Sequence, residues 1–326
     1  MKGQWKLGWR AAAVLLAGSL TGVAQVNTSG PGTAANGAHS ERMATPGTVN
    51  YIEGDVTLNG NPLSNPGAGS TVIEPNQEIA TGNGYAEVLL NPGAFLRIGH
   101  NSEVRMISAG LANVQLQVNG GSALVETADL VKGSTLNVTV DGAVTQIERG
   151  GLYAFDANGQ SVKVLDGKAQ VRQGDSETTL KKGDDVLLAS DNPLKKHDFS
   201  VKAAEADPLY VWSKVRSREE AQANAHAANL IVTGGGWYGP GWYWDPFWSG
   251  YAFLPGAGMW NSPFGWGFYS PAYFYGGPGF YGRPYLGVRG YYGRAFRPGY
   301  VRPGYVGGVR TQVHAFSGGG FHGGRR

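Results

Sequence analysis

Between residues 46 and 190 the apolar residues recur at every second position. A period of two confines this segment to strands with one buried face. Val114, Leu116 and Val118 alternate with Gln115 and Gln117, and Leu136, Val138 and Val140 alternate with Asn137 and Thr139. Val162 and Val164 flank Lys163, and Ala169 and Val171 flank Gln170. No helical period of useful length interrupts them. Between the runs lie Asn59-Gly60, Asn119-Gly120, Asp141-Gly142, Asn158-Gly159 and Asp166-Gly167. These pairs tolerate the positive φ of tight hairpin turns, so each predicts a reversal. The expectation is an all-β, mainly antiparallel unit, a sandwich, jelly roll or similar, and about 145 residues suffice for one core.

Several segments stand in a recognisable order. Gly47–Val56 opens it. Asn76–Val88 follows, where a strand is expected to end in a Thr81-Gly82 turn before a second strand. Then come Pro92–Gly99 and Asn101–Val104, and, in more generic form, Gly120–Val125 and Val164–Val171. Taken together these resemble a FecR-type domain over about residues 47–190. The resemblance implies an extracytoplasmic domain with a jelly-roll-like fold. The best-known members are membrane-bound regulators that pass a signal from an outer-membrane receptor to a cytoplasmic sigma factor. They carry a cytoplasmic anti-sigma helix domain before a transmembrane span. Here ten residues precede the apolar segment, so direct sigma-factor control is not expected. What the resemblance implies for this chain is a stand-alone exported β module that binds something, such as envelope material.

The N-terminus supports export. Lys2, Lys6 and Arg10 precede an apolar run over residues 11–24, with Gly22 and Ala24 at −3 and −1 of a cut before Gln25. That is the pattern of a secretory signal peptide over 1–24. A membrane anchor would need about 20 apolar residues, and polar sequence begins at Gln25. The mature chain is therefore expected to have no transmembrane span and to be periplasmic, cell-surface or extracellular. Residues 25–45 are small and polar and read as a disordered leader. The complete absence of cysteine excludes disulfides, thiolate metal sites and a cysteine nucleophile.

After the β unit, residues 191–233 read as a linker containing one helix. Asp207-Pro208 is a strong helix start, because Asp accepts from free amides and Pro fits the first turn. Leu209, Trp212 and Val215 form a short apolar stripe, and the helix is expected over about 208–229 with this stripe docked on the body. Residues 234–326 are a different material, holding 26 of the 53 Gly and 27 of the 37 aromatic residues. This tail has eight Arg against one acid, whereas residues 25–233 have sixteen bases against twenty-three acids. Gly and Pro break regular structure and aliphatics are scarce, so the tail is expected to be largely disordered and low in complexity. Its aromatics and Arg can act as weak multivalent contacts through cation–π attraction, at about 0.5–2 kcal/mol each. The candidate contact residues are Trp237, Trp242, Trp244, Trp248, Tyr300, Tyr305, Arg297 and Arg302, the last four within a repeated Arg-Pro-Gly-Tyr-Val. The expected partners are an envelope protein, a polysaccharide stacked on the rings, or another copy of the chain. Arg with aromatics also suits single-stranded nucleic acid, but export and thinly spread charge argue against it.

Catalytic patterns are missing from the sequence. His39, His100, His197, His226, His314 and His322 show no metal-ligand spacing, and no nucleophile elbow, phosphate loop or zinc-protease motif occurs. His100 reads as a turn residue, and Asp184-Asp185 as a polar turn rather than a cation site. Asn27 and Asn137 head glycosylation sequons by pattern alone. No cofactor or metal is expected. The sequence thus points to a non-enzymatic exported binding or sensing module with an interacting tail. The alternative is a structural or adhesive surface protein driven by that tail.

Overall fold

The computed structural model describes residues 44–64, 69–188, 193–234 and 239–276. The signal peptide, nearly all of the leader, Trp237 and residues 277–326 lie outside the described residues.

Fifteen strands form one sheet. They are β1 (Val49–Leu58), β2 (Asn61–Pro62), β3 (Glu78–Leu89), β4 (Ala94–Ile98), β5 (Glu103–Gly110), β6 (Asn113–Gly120), β7 (Ser122–Thr127) and β8 (Thr135–Val140). These continue as β9 (Ala143–Ile147), β10 (Gly151–Asp156), β11 (Ser161–Asp166), β12 (Lys168–Gln173), β13 (Ser176–Lys181), β14 (Asp184–Leu187) and β15 (Lys196–Asp198). The sheet forks at β3. One edge of β3 pairs with β1, and the other pairs with β5 over Glu78–Ala80 and with β4 over Ala86–Leu89. One wing runs β4-β7-β10-β11-β14-β15, the other β5-β6-β8-β9-β12-β13. The wings face each other across a shared core that includes Leu96, Val125 and Phe155 from the first and Met106, Leu116 and Val138 from the second. The result is a nearly closed, barrel-like sandwich.

The period of two explains the register. Val114, Leu116 and Val118 of β6 lie level with Leu136, Val138 and Val140 of β8, and all six are buried. A slip of one residue would turn this set to solvent, at about 1.5–3 kcal/mol per side chain. This pair is parallel, whereas the other pairs in the sheet are antiparallel.

The turn pairs divide into two kinds. Asn59-Gly60 and Asp141-Gly142 are hairpin turns with both residues at positive φ, and Asn158-Gly159 lies in the β10–β11 hairpin. The other two are not reversals. After Asn119-Gly120 the chain crosses from β6 in one wing to β7 in the other, and Asp166-Gly167 takes it from β11 to β12. Positive φ at Gly121 (+66°) and Gly167 (+99°) kinks the chain between layers. A Cβ on Gly121 would come within 2.5 Å of the Asn101 carbonyl oxygen, so close packing also demands glycine there. The expected Thr81-Gly82 turn is absent, and β3 runs through it. The irregularity falls beside it, where pairing with β1 shifts register after Gly54.

Beyond the sheet come α1 (Val201–Ala204) and α2 (Pro208–Gly234). The Asp207 carboxylate accepts from the Leu209 and Tyr210 amides at 2.8 and 3.2 Å, capping α2 as its sequence predicts. β15 and α1 occupy the stretch expected to be linker. The first part of the tail departs further from expectation. Residues 239–276 form two hairpins, β16 (Gly241–Asp245) with β17 (Gly250–Leu254) and β18 (Met259–Asn261) with β19 (Gly267–Tyr269), followed by α3 (Pro271–Gly276). They need no aliphatic core of their own, because they use the outer face of the sheet. Trp242, Tyr251, Phe253 and Phe268 pack on Leu89 and Phe95, while Leu209, Tyr210 and Phe264 pack on Leu124, Leu152 and Leu165. With both faces covered, all five residues of β4 are buried.

Candidate functional site

The outer face of β3, β4 and β7 carries charge as well as hydrophobes. Because strand side chains alternate, Tyr85, Glu87 and Leu89 point outward from β3, Phe95 and Arg97 from β4, and Leu124 and Glu126 from β7. Glu87 lies opposite Arg97 in the register. Arg97 Nε donates to Glu87 at 2.9 Å and Nη1 to Glu126 at 2.5 Å, and all three side chains are 0% exposed. From α2, Arg216 Nη2 donates to Glu87 at 2.9 Å and to Glu220 at 2.8 Å, while Nη1 reaches Glu219 at 2.6 Å. Asn50 of β1 donates to Glu87 and Glu220, and its side-chain oxygen accepts from the Tyr251 amide at 2.9 Å. Ser217 and Ser262 both donate to Glu126. Asn224 holds the Phe253 and Tyr269 carbonyls. One polar network thus ties β1, the sheet wing, α2 and the tail hairpins together.

Three buried acids (Glu87, Glu126 and Glu220) meet two buried arginines (Arg97 and Arg216). Burial alone would raise Glu87, but Arg216 and Arg97 override it and hold its pKa at about 2. Burial, reinforced by Glu87, raises Glu220 well above the carboxylate range despite Arg216. Its raised folded pKa means that its stabilisation is complete below the unfolded value of 4.5 and is lost as pH rises through the folded value. Glu220→Gln, which stays neutral and keeps a carbonyl for Asn50 and Arg216, should match wild type near pH 4.5. It should become progressively more stable than wild type towards pH 9. Urea midpoints across that range measure the difference, and parallel curves would disprove the assignment.

Above this network lies a surface cleft between β1 and α2. Two adjoining lobes of about 460 and 500 Å³ share Tyr51, Arg216 and Glu219. Trp212 forms one wall, stacked on Tyr85 at 4.7 Å and 12°, with Nε1 donating to Glu53 at 2.9 Å. The Arg216 guanidinium lies 4.0 Å from the Tyr51 ring centroid. Trp248 lines the second lobe.

The residues singled out from sequence divide accordingly. Leu209 is buried against the sheet, Trp212 forms the cleft wall, and Val215, expected to dock with them, is 41% exposed on the cleft rim. Trp242, expected to be a free contact residue, is 2% exposed, edge-on to Phe95 at 5.0 Å. Trp244 is half-buried against Tyr251, and Trp248 is 41% exposed. Trp237, Arg297, Tyr300, Arg302 and Tyr305 lie outside the described residues. Asp184 closes the turn before β14 by accepting from the Lys181 amide. Among the described residues no cluster of His, Asp or Glu could hold a metal, and no helix is long and apolar enough to cross a membrane. Sequence reasoning missed Glu87, Arg97, Glu126, Arg216 and Glu220. A charge inside the apolar run Phe95-Leu96-Arg97-Ile98 was the available signal.

These observations define a class: an all-β, barrel-like domain with one outer face capped by a charge-anchored helix and aromatic hairpins. Within it, residues 77–172 match the family model described as FecR protein, so the chain carries a FecR domain over that span. The match runs from the residue before β3 into β12 and leaves β1, α2 and the hairpins outside it. Two crystal structures described as a "putative anti-sigma factor" from Parabacteroides distasonis ATCC 8503 are similar at 17% and 16% identity, with a TM-score of 0.35 each. The alignments cover 40% of this chain and 62% and 63% of theirs, less than two thirds of those proteins' length. No curated protein matches the chain.

Proposed function

We propose that the chain is an exported, non-catalytic binding and sensing module of the cell envelope, and that the cleft between β1 and α2 receives its ligand or partner. One observation carries this reading. The cleft wall includes Arg216, which is also the residue that ties α2 to the sheet through Glu87. A ligand touching Arg216, Tyr51 or Trp212 would therefore bear on the attachment of the helix and hairpins, which is what a sensor requires. The FecR domain supports a regulatory role, and the basic, apolar N-terminal segment supports export.

Sedimentation with outer-membrane vesicles and with peptidoglycan sacculi tests the site. The full chain should pellet with one of them, and Trp212→Ala, which removes a half-buried cleft wall, should pellet at least about fivefold less (roughly 1 kcal/mol, the scale of one aromatic contact). Equal pelleting of both proteins, or of neither, would overturn the reading. Mass spectrometry of the mature N-terminus tests export, with a start at Gln25 expected and an intact Met1 contradicting it.

The adhesive alternative is favoured by one feature, the β16–β17 turn, where Phe247 is 73% exposed. Deleting 234–326 would not isolate that role, since it strips the cover from Phe95 and Glu126. Phe247→Ser in the full chain leaves the described hairpins in place, and loss of self-association in that variant would favour the adhesive reading.

A further inference from the structure

We propose that the β1–α2 cleft binds an extended peptide segment carrying an arginine or lysine beside an apolar or aromatic residue. This rests on the cleft being the binding site and names what it takes. The accessible charge on the cleft is acidic: Glu53 is exposed on the rim and Glu219 is half-exposed on the boundary between the lobes. Arg216 is the one cation among the described lining residues, and Glu87, Glu219 and Glu220 engage its guanidinium. Glu220, 4% exposed and lining the second lobe, has an oxygen, Oε2, that no donor reaches. The wall already accommodates a planar cation, since Arg216 lies 4.0 Å from the Tyr51 ring centroid. An incoming guanidinium or ammonium finds the same combination of carboxylates and ring faces.

The shape argues for a segment rather than a free ion. The lobes adjoin at Tyr51, Arg216 and Glu219, with exposed Val211 and Val215 lining the first and Trp248 lining the second. A metal or simple amine would leave these apolar contacts unused. A peptide uses both, its basic side chain against Trp212 between Glu53 and Glu219, and its apolar neighbours on Val211, Val215 and Trp248.

The test is calorimetric titration of the full chain with a ten-residue peptide of two Arg-Pro-Gly-Tyr-Val units, the sequence of residues 297–306. A version with Glu in place of Arg and a neutral chitin oligosaccharide serve as comparison probes. Glu53→Lys and Glu219→Lys are the variants, with Glu53→Gln as a milder one, and circular dichroism checks their fold. The Arg peptide should bind, weaken with salt, and bind about fivefold to tenfold more weakly to each Lys variant, as expected for reversing one rim charge. The Glu peptide should not bind. Absent binding, or binding unchanged in folded Lys variants, overturns the proposal. If the oligosaccharide binds instead and Trp212→Ala abolishes it, the ligand class is wrong while the cleft stands. If envelope sedimentation is also insensitive to Trp212→Ala, the site itself is wrong.

Discussion

Arg97→Met should destabilise the protein by about 3–5 kcal/mol, the range observed when one partner of a buried charge pair is removed. The reason is what remains. Glu87 and Glu126, both fully buried, would lose their shared cation, and Arg216 could compensate only Glu87. Methionine approximates the lost volume, so the effect is electrostatic rather than a cavity effect. The variant should respond to pH in a diagnostic way. With Arg97 gone, Glu87 loses one of the two cations that hold its pKa down, so mild acid should recover part of the loss. Urea unfolding at pH 7 and pH 5 checks both statements. A loss below about 1 kcal/mol at pH 7 would mean that the network contributes little beyond packing. Arg97→Lys should not restore stability, because one ammonium cannot reproduce the fork that reaches two carboxylates on different strands.

Trp242→Ala should cost a similar amount, about 3–5 kcal/mol, through a different mechanism. The indole is enclosed by Phe95 at 5.0 Å and Phe253 at 5.6 Å, and its Nε1 donates to the Leu90 carbonyl. Removing it leaves a cavity under the hairpins that rigid strand β4 cannot fill. The damage should be local first. Hydrogen exchange should accelerate in β16 to β19 before it does in β6 and β8, whose core lies between the wings. Trp248→Ala, at an exposed position three residues past β16, should change stability by no more than about 0.5 kcal/mol. If the two variants behaved alike, the hairpins would not be packed as described.

The inner core was legible because its rule is local. Val114, Leu116 and Val118 announce a strand face without reference to anything distant. The outer layer was not legible, because its partners are far apart in sequence. Glu87 meets Arg216 across 129 residues, and Glu126 meets Ser262 across 136. No periodicity spans such gaps. The tail misled for a related reason. Its shortage of aliphatics shows that it cannot make a core alone, but Trp242 and Phe253 share one with Leu89 and Phe95. The Asn119-Gly120 and Asp166-Gly167 pairs mark real strand ends, yet there the positive φ falls on single glycines, Gly121 and Gly167, and serves a crossing between wings rather than a hairpin. Three residues of the cleft were visible early: Trp212 and Val215 from the helix stripe and Trp248 from the tail. Neither residue type reveals that a helix would lay one of them beside Tyr51.

The hydrogen bond between Asn50 and Tyr251 spans 201 residues. During synthesis, strand β1 leaves the ribosome long before the hairpin that completes its surroundings. Until residues 239–276 arrive, Glu87, Arg97 and Glu126 face water on an unfinished surface, where their charges favour hydration over collapse. The sandwich can assemble first from its nearer pairings, while closure of so long a loop makes the outer layer the late step. A nascent chain of this design stays open on one side until residues 239–276 have emerged, and those hairpins act as the latch on a structure begun at β1.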